Sequence, residues 1–414
     1  MSGTEATMNT MTLARPPRDR WLRLALKFAA VIRCGRLTVV LPDGSTHHIQ
    51  APHEGPEATV VLKDRAAIRK LVTGGGVGWA EAYIEGLWET PDLRGVMALA
   101  AANEDEWMAM LTGNRWMRIL NIVMHKLRPN TRKGAKRNIV EHYDLGNQFY
   151  AQWLDPTMTY SSALFTDTAE TLEAAQLAKI HRLCKALELS PGMRLLEIGC
   201  GWGAFAEVAA RDYGVHVVGI TLSPSQLEHA RARIAAAGLE HLVEFRLQDY
   251  RDVPETFDRI ASIEMFEAVG EQFWPAYFDT LRKRLVPGGL VGLQTITIED
   301  RLFPSYRSSA DFIQRHIFPG GMLPSPTRLR EEVARAGLAW RGEHWFGMDY
   351  AETLSRWNAT FQAKWQHIAG ATRLSRMPCD ARFKRLWEYY LLYCETGFRA
   401  GWTDVGQILL ARTA

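Results

Sequence analysis

The stretch LLEIGCGWGAF, Leu195–Phe205, joins a short apolar run to an amphipathic one through three glycines, and it constrains the fold more than any other part of the chain. A strand that ends in a glycine-rich turn and continues as a helix begins a βαβ unit, and such a turn opens at the carboxyl edge of a parallel sheet. The sequence keeps this rhythm for a hundred residues afterwards. Strands are expected at Met193–Ile198, Val215–Thr221, Val243–Leu247, Phe257–Ile263 and Leu290–Ile298, and helices at Gly203–Tyr213, Ser223–Ala237 and Gln272–Leu285. Apolar strands alternating with amphipathic helices imply an α/β fold with a doubly wound, mostly parallel sheet and a ligand at its carboxyl ends.

The chain has 414 residues, more than one core usually fills, so a smaller companion domain is expected ahead of this region. Residues 1–19 are rich in Thr, Pro and Arg and read as a loose start. Next, Trp21, Leu24, Ala25, Phe28, Val31 and Ile32 share one helical face beside Arg20, Arg23 and Lys27. Such a basic amphipathic helix either packs on its own domain or lies on an anionic membrane. LTVVLPDGSTHHIQ, Leu37–Gln50, alternates as a hairpin around Pro42-Asp43-Gly44. Residues 20–125 thus read as a small α+β domain that associates with lipid, without a catalytic constellation. Lys126, Arg128, Arg132, Lys133, Lys136 and Arg137 then form a run free of acids. It is either a solvated linker, 126–140, or a grip on lipid phosphates; without interleaved aromatics it does not favour single-stranded nucleic acid.

The formal net charge is +3, so no global imbalance dictates a partner. Cys34, Cys184, Cys200, Cys379 and Cys394 are scattered without metal-ligand spacing, as reduced cytoplasmic thiols would be. The first twenty residues lack the apolar core of an export signal, and no run reaches the roughly eighteen apolar residues of a membrane span.

Gly199, Gly201 and Ala204 fit a dinucleotide-binding fingerprint. Two features turn the reading elsewhere. The next strand ends Gly219-Ile220-Thr221-Leu222-Ser223 without the acid that would hold a nicotinamide ribose. Glu197 stands two residues before the first glycine, where a carboxylate repels a pyrophosphate but attracts a cation. S-adenosylmethionine, with a sulfonium and an ammonium and no phosphate, suits that turn better. Thr221, Ser223 and Gln226 then become neutral partners for its ribose, and Gln248, Asp249 and Tyr250 sit where an adenine is met; for Asp249 a capping role competes.

EHYDLGNQFYAQWLDPTMTYSSALF (Glu141–Phe165), LLEIGCGWGAF, GITLSPSQ (Gly219–Gln226), SIEMFEAVGEQFW (Ser262–Trp274), FIQRHIFPGGMLPS (Phe312–Ser325) and FGMDYAETLSRW (Phe346–Trp357) occur in this order. Together they resemble the cyclopropane-fatty-acyl-phospholipid synthases and their relatives that methylate fatty acyl chains and mycolic acids. The likeness runs from Glu141 to the C-terminus, and the small domain resembles that of the bacterial phospholipid-acting members. The resemblance implies a class I methyltransferase fold, S-adenosylmethionine as cofactor, and methylene transfer to cis double bonds of phospholipid acyl chains. It also implies a homodimer working in the cytoplasm, peripherally on the inner membrane.

In that chemistry the alkene takes the sulfonium methyl, and a base removes a proton from the resulting cation to close the ring. The resemblance makes the base a bound bicarbonate, held by Glu267 and Tyr350 among others, with Tyr160 and Ser161 against the cofactor. Where the best-known synthases have cysteine and histidine, this chain has Ser162 and Gln294. Both can still hydrogen-bond a bicarbonate, but glutamine takes up no proton as histidine does. A second product therefore stays open, a methyl-branched or methylated unsaturated chain made without ring closure. Phe266, Trp274, Phe318 and the aromatics of Trp387–Tyr393 are candidates to line a dry acyl-chain pocket, with ordinary core as the alternative for each. An NAD-dependent oxidoreductase and a non-catalytic lipid-binding protein are the readings from other classes.

Overall fold

The computed structural model describes residues 10–12, 18–111, 145–167, 170–370 and 379–413, so the basic run Lys126–Arg137 lies outside the described residues. The chain divides into two units, each with its own sheet.

The first unit comprises residues 1–124, 309–312 and 379–396. Its strands are β1 (Thr10–Thr12), β2 (Cys34–Val40), β3 (Thr46–Gln50), β4 (His53–Leu62) and β5 (Trp88–Glu89), ordered β1-β3-β2-β4-β5. β2 and β3 form the expected hairpin. Gly44 takes φ 83° in its turn, and the Ser45 N–H and hydroxyl both donate to Asp43, at 2.9 and 2.6 Å. β1 pairs antiparallel with β3, which corrects the reading of residues 1–19 as uniformly loose. The basic helix spans Arg20–Ala29, capped by Asp19, which accepts from the Trp21 N–H at 2.7 Å. Ala25, Leu26, Ala29 and Ile32 are buried, whereas Trp21, Leu24 and Phe28 are half-buried.

The helix Ala381–Arg399 brings Trp387–Tyr393 into this first unit for most of its length. Tyr389 packs 4.8 Å from Phe312 and 5.9 Å from Tyr83, and the Tyr83 hydroxyl donates to Glu388 at 3.1 Å. These aromatics thus pack within the first unit.

The second unit comprises residues 125–308, 313–378 and 397–414. Its strands are β6 (Arg194–Ile198), β7 (His216–Thr221), β8 (Val243–Leu247), β9 (Phe257–Ile263), β10 (Leu285–Ile298), β11 (Leu338–Trp345) and β12 (Thr403–Arg412), ordered β11-β12-β10-β9-β6-β7-β8. β6 to β10 pair in parallel, and β12 runs antiparallel to β10 and β11. Period-two alternation feeds one core on each face. Leu196, Ile198 and Ile220 face one side, and Leu195, Val217 and Phe245 the other. This is the doubly wound α/β sheet that the alternation predicts, with its expected strands and helices in place.

β10 departs at its start, pairing with β9 from Leu285 and shifting register before Leu290. Gly289 permits this, because a Cβ there would lie 2.8 Å from the Asp258 carbonyl oxygen. The carboxyl ends of β6, β7, β8 and β9 fall at residues 198, 221, 247 and 263, and the candidate site residues gather along that edge.

Candidate active site

The glycine turn leaves β6 with Gly199, Gly201 and Gly203 at φ 83°, 50° and 87°, the left-handed region that glycine enters without strain. The N–H groups of Gly199 and Cys200 both donate to the Ile220 carbonyl at 3.0 Å, which pins the turn to β7. A Cβ on Gly199 would collide with Met265 at 2.8 Å, whereas nothing lies within 4 Å of one on Gly201. At the end of β6, Glu197 is buried and its Oε2 has no partner among the described residues. Burial pushes its carboxyl well above the usual range. An orphaned carboxylate oxygen beside an open glycine turn fits a cationic cofactor, so these residues suit S-adenosylmethionine.

Thr221, Ser223 and Gln226 come together at the end of β7. The Thr221 hydroxyl donates to Gln226 at 2.8 Å, and Ser223 caps the helix Pro224–Ala236 by accepting from the Gln226 N–H at 3.3 Å. At the end of β8, Gln248 donates to the Asp252 carbonyl at 2.9 Å, and Tyr250 lies edge-on to Tyr277. Asp249 caps the short turn Tyr250–Asp252 and is paired with the Arg251 guanidinium at 2.6 Å, the capping role that the sequence set beside an adenine contact.

The end of β9 carries the densest polar cluster. Oε1 of Glu264 accepts from the Ser162 N–H at 2.9 Å and from the Gln294 side chain at 2.8 Å, and Oε2 accepts from the Tyr350 hydroxyl at 2.6 Å. Three of the four predicted catalytic residues therefore converge on Glu264, a residue the sequence reading passed over. Ser162 contributes through its backbone, because its hydroxyl donates to the Ala163 carbonyl at 2.9 Å.

Glu264 sits at φ 48°, a left-handed conformation that strains a residue with a Cβ. Desolvation raises its carboxyl above the ordinary value, opposed by the charge of Lys179 and by the three donors. Lys179 is fully buried on the helix Leu172–Ala186 and donates to the Ser161 hydroxyl at 2.6 Å. Its burial lowers the ammonium to about 8 despite the attraction of Glu264 and Asp155. Gln407 extends the network, donating to Gln294 at 3.1 Å and to the Lys179 carbonyl at 3.0 Å.

Glu267 occupies the same edge with other partners. Its Oε1 accepts from the Ile296 N–H at 2.5 Å and the Thr295 hydroxyl at 3.1 Å, while its buried Oε2 has no partner among the described residues. Desolvation and then the neighbouring Glu264 charge push its carboxyl to about 8. Burial thus raises both carboxyls, and the Glu264 charge adds to the rise at Glu267.

A chain of rings joins this cluster to the glycine turn. Trp202 of the turn meets Tyr150 at 5.3 Å, Tyr150 meets Tyr160 at 5.3 Å, Tyr160 meets Trp357 at 5.4 Å, and Trp357 meets Tyr350 at 6.2 Å. Tyr160 is a member of this chain of rings, Ser161 is the partner of Lys179, and neither caps a helix among the described residues. Phe266 and Trp274 instead belong to the core beneath the sheet, packed 5.5 Å apart with no exposed surface. Phe318 is half-buried on the turn before Met322, whose N–H donates to the Glu267 carbonyl at 2.8 Å.

Comparison with known proteins agrees with this geometry. The profile of the family described as mycolic acid cyclopropane synthetase matches residues 130–408. A tuberculostearic acid methyltransferase of Mycobacterium tuberculosis is 37% identical over 91% of this chain and 88% of its own. The cyclopropane-fatty-acyl-phospholipid synthase of Escherichia coli K12 is 34% identical over 96% of this chain and 94% of its own. Among solved structures, a mycolic acid cyclopropane synthase complexed with SAH and CTAB superimposes with a TM-score of 0.61 at 35% identity, over 67% of this chain and 98% of that one. The class I sheet of such structures is the sheet seen here, and the family match over residues 130–408 spans the glycine turn and the carboxylate cluster alike. An S-adenosylmethionine-dependent methyltransferase with these relatives along nearly its whole length belongs to the mycolic acid cyclopropane synthetase family.

Proposed function

We propose that this enzyme transfers methyl to the cis double bond of an unsaturated acyl chain in a membrane phospholipid and closes a cyclopropane ring. The observation that carries the reading is the run of rings from Trp202 to Tyr350, which ends on a carboxylate cluster at the sheet's carboxyl edge. S-adenosylmethionine, when bound, supplies an electrophilic methyl. Glu197 and the glycine turn hold it, with Thr221, Ser223 and Gln226 as neutral neighbours. Rings favour a cation without attacking it and exclude water that would quench it. The carboxylate cluster then takes a proton from the transferred methyl. A second product, formed without ring closure, is favoured by neutral Gln294 and by the relative named a tuberculostearic acid methyltransferase.

The substrate is part of a bilayer, so the protein works peripherally on the inner membrane from the cytoplasm, through the basic helix and the Lys126–Arg137 run, as a homodimer. No helix among the described residues is long and apolar enough to cross a membrane. The test is incubation of the enzyme with cis-unsaturated phospholipid vesicles and cofactor bearing a trideuterated methyl. A ring retains two deuteriums and shows no alkene carbons in the NMR spectrum. Loss of a proton from a neighbouring chain carbon retains three, and an exocyclic methylene retains two with the carbon–carbon double bond preserved. Absence of label from every lipid product would end the proposal.

A further inference from the structure

We propose that Glu264 is the proton acceptor of this site, a carboxylate supplied by the chain itself in the place where the resemblance puts a bound bicarbonate, so that turnover needs no bicarbonate. The inference rests on the proposed function and assigns its base. A bicarbonate would be held by hydrogen-bond donors around its oxygens, and of the expected holders, Glu267, Ser162, Gln294 and Tyr350, the last three are such donors. All three already donate to the two oxygens of Glu264, at 2.9, 2.8 and 2.6 Å. A planar anion of nearly the same shape as bicarbonate is therefore already seated on those groups, and the site does not fit a second one.

Two independent observations support a specific role. The Glu264 backbone is held at φ 48°, a strained conformation that persists where surroundings over-determine it, and such strain clusters at functional sites. The Glu264 N–H donates to the Gln294 carbonyl at 2.8 Å, so the same residue that donates to the carboxylate also fixes the strained backbone. Lys179, buried without exposure, supplies a positive charge that opposes the rise burial imposes on this carboxyl. Glu264 itself is only half-buried.

The step balances on this one group. A C–H bond of the transferred methyl breaks, and its electron pair forms the carbon–carbon bond to the adjacent cationic centre. The proton passes to Oε2 of Glu264, which accepts from Tyr350 alone among the described residues and so keeps a free lone pair. Cation and carboxylate become neutral ring and neutral carboxyl, and the carboxyl returns its proton to solvent before the next turnover.

The experiment uses the full chain with cis-unsaturated phospholipid vesicles, in buffer purged of carbon dioxide and with bicarbonate restored. The wild-type rate should be the same in both, within about twofold. Glu264→Gln should lose roughly a hundredfold or more, the scale of a missing general base. Glu264→Gly relieves the strained φ and leaves a gap of carboxylate size, so added bicarbonate or formate should restore part of its rate in a concentration-dependent way. A purely structural role would show no such rescue. Binding of S-adenosylhomocysteine, followed by calorimetry, should match wild type in both variants. A wild-type rate that collapses without bicarbonate and returns with it overturns the inference, even if both variants fail to fold, and so does full activity in Glu264→Gln. A wild type that methylates no unsaturated lipid even with bicarbonate overturns the proposed function as well.

Discussion

Glu264 and Glu267 are three residues apart in SIEMFEAVG, and the structure gives them different partners. Matching motifs draws the eye to Glu267, whereas the side chains that the sequence does identify, Ser162, Gln294 and Tyr350, gather on Glu264. The missing signal is a backbone angle: nothing in one sequence reveals that position 264 is left-handed, which is what turns its carboxylate toward Gln294 and Tyr350. The visible hint was an acid placed directly after the last residue of β9, at the ligand-binding edge. Glu267 provides a test through stability. Its carboxyl stands at about 8 in the folded chain, against an ordinary value near 4.5. A raised carboxyl contributes stability that is complete below the unfolded value and disappears as pH rises through the folded one, at up to about 1.4 kcal/mol per pH unit. The protein should therefore weaken between pH 5 and pH 8. Glu267→Gln, which cannot ionise, should flatten that decline, with a higher urea midpoint than wild type at pH 8.5 and little gain at pH 5. Equal slopes for both proteins would show that Glu267 is not the group responsible.

Among the elements, the strands of the second unit were legible because strands covered on both faces must be apolar throughout, and helices between them must carry one apolar stripe. The helix Leu172–Ala186 shows where that rule stops. Its buried residues are Ala175, Gln176, Lys179, Ile180, Leu183 and Cys184, so the stripe contains a lysine and a glutamine that pattern alone assigns to solvent. Only Glu264, Asp155 and the Ser161 hydroxyl, from distant segments, explain a buried ammonium. The rings of the helix Ala381–Arg399 are illegible for the same reason, since Tyr83 and Phe312, remote in sequence, decide what Tyr389 packs against. Lys179 makes the coupling measurable. Lys179→Met leaves Glu264 as an uncompensated charge and should cost about 3 to 5 kcal/mol in denaturant unfolding. Adding Glu264→Gln to that variant should recover a large part of the loss, because the charge left behind disappears with it. Strict additivity of the two losses would mean that the pair does not interact.

At the scale of the whole molecule, the near balance of charges conceals one strongly uneven segment. The formal net charge of +3 predicts little attraction to a membrane, yet six cations lie between Lys126 and Arg137 without an acid. Each cation near an anionic leaflet contributes about 1 kcal/mol, and screening removes this within a Debye length of about 10 Å at 0.1 M salt. The basic helix Arg20–Ala29 offers a weaker claim, since Ala25, Leu26 and Ala29 are already buried in the first unit and only Trp21, Leu24 and Phe28 of its apolar face keep partial exposure. The two contributions separate in a vesicle co-sedimentation assay. Binding to vesicles rich in phosphatidylglycerol should exceed binding to phosphatidylcholine vesicles and fall steeply as salt is raised. Replacing Arg132, Lys133, Lys136 and Arg137 by glutamine should weaken it by roughly two orders of magnitude or more at low salt, and remove most of its salt dependence. Methyl transfer to lipid dispersed in detergent micelles should be unaffected by those four changes, because the carboxylate cluster and glycine turn contain none of them. Binding that ignores salt and lipid charge would transfer the membrane contact to the apolar face of Trp21, Leu24 and Phe28, where Trp21→Ser would then be the variant that releases the protein.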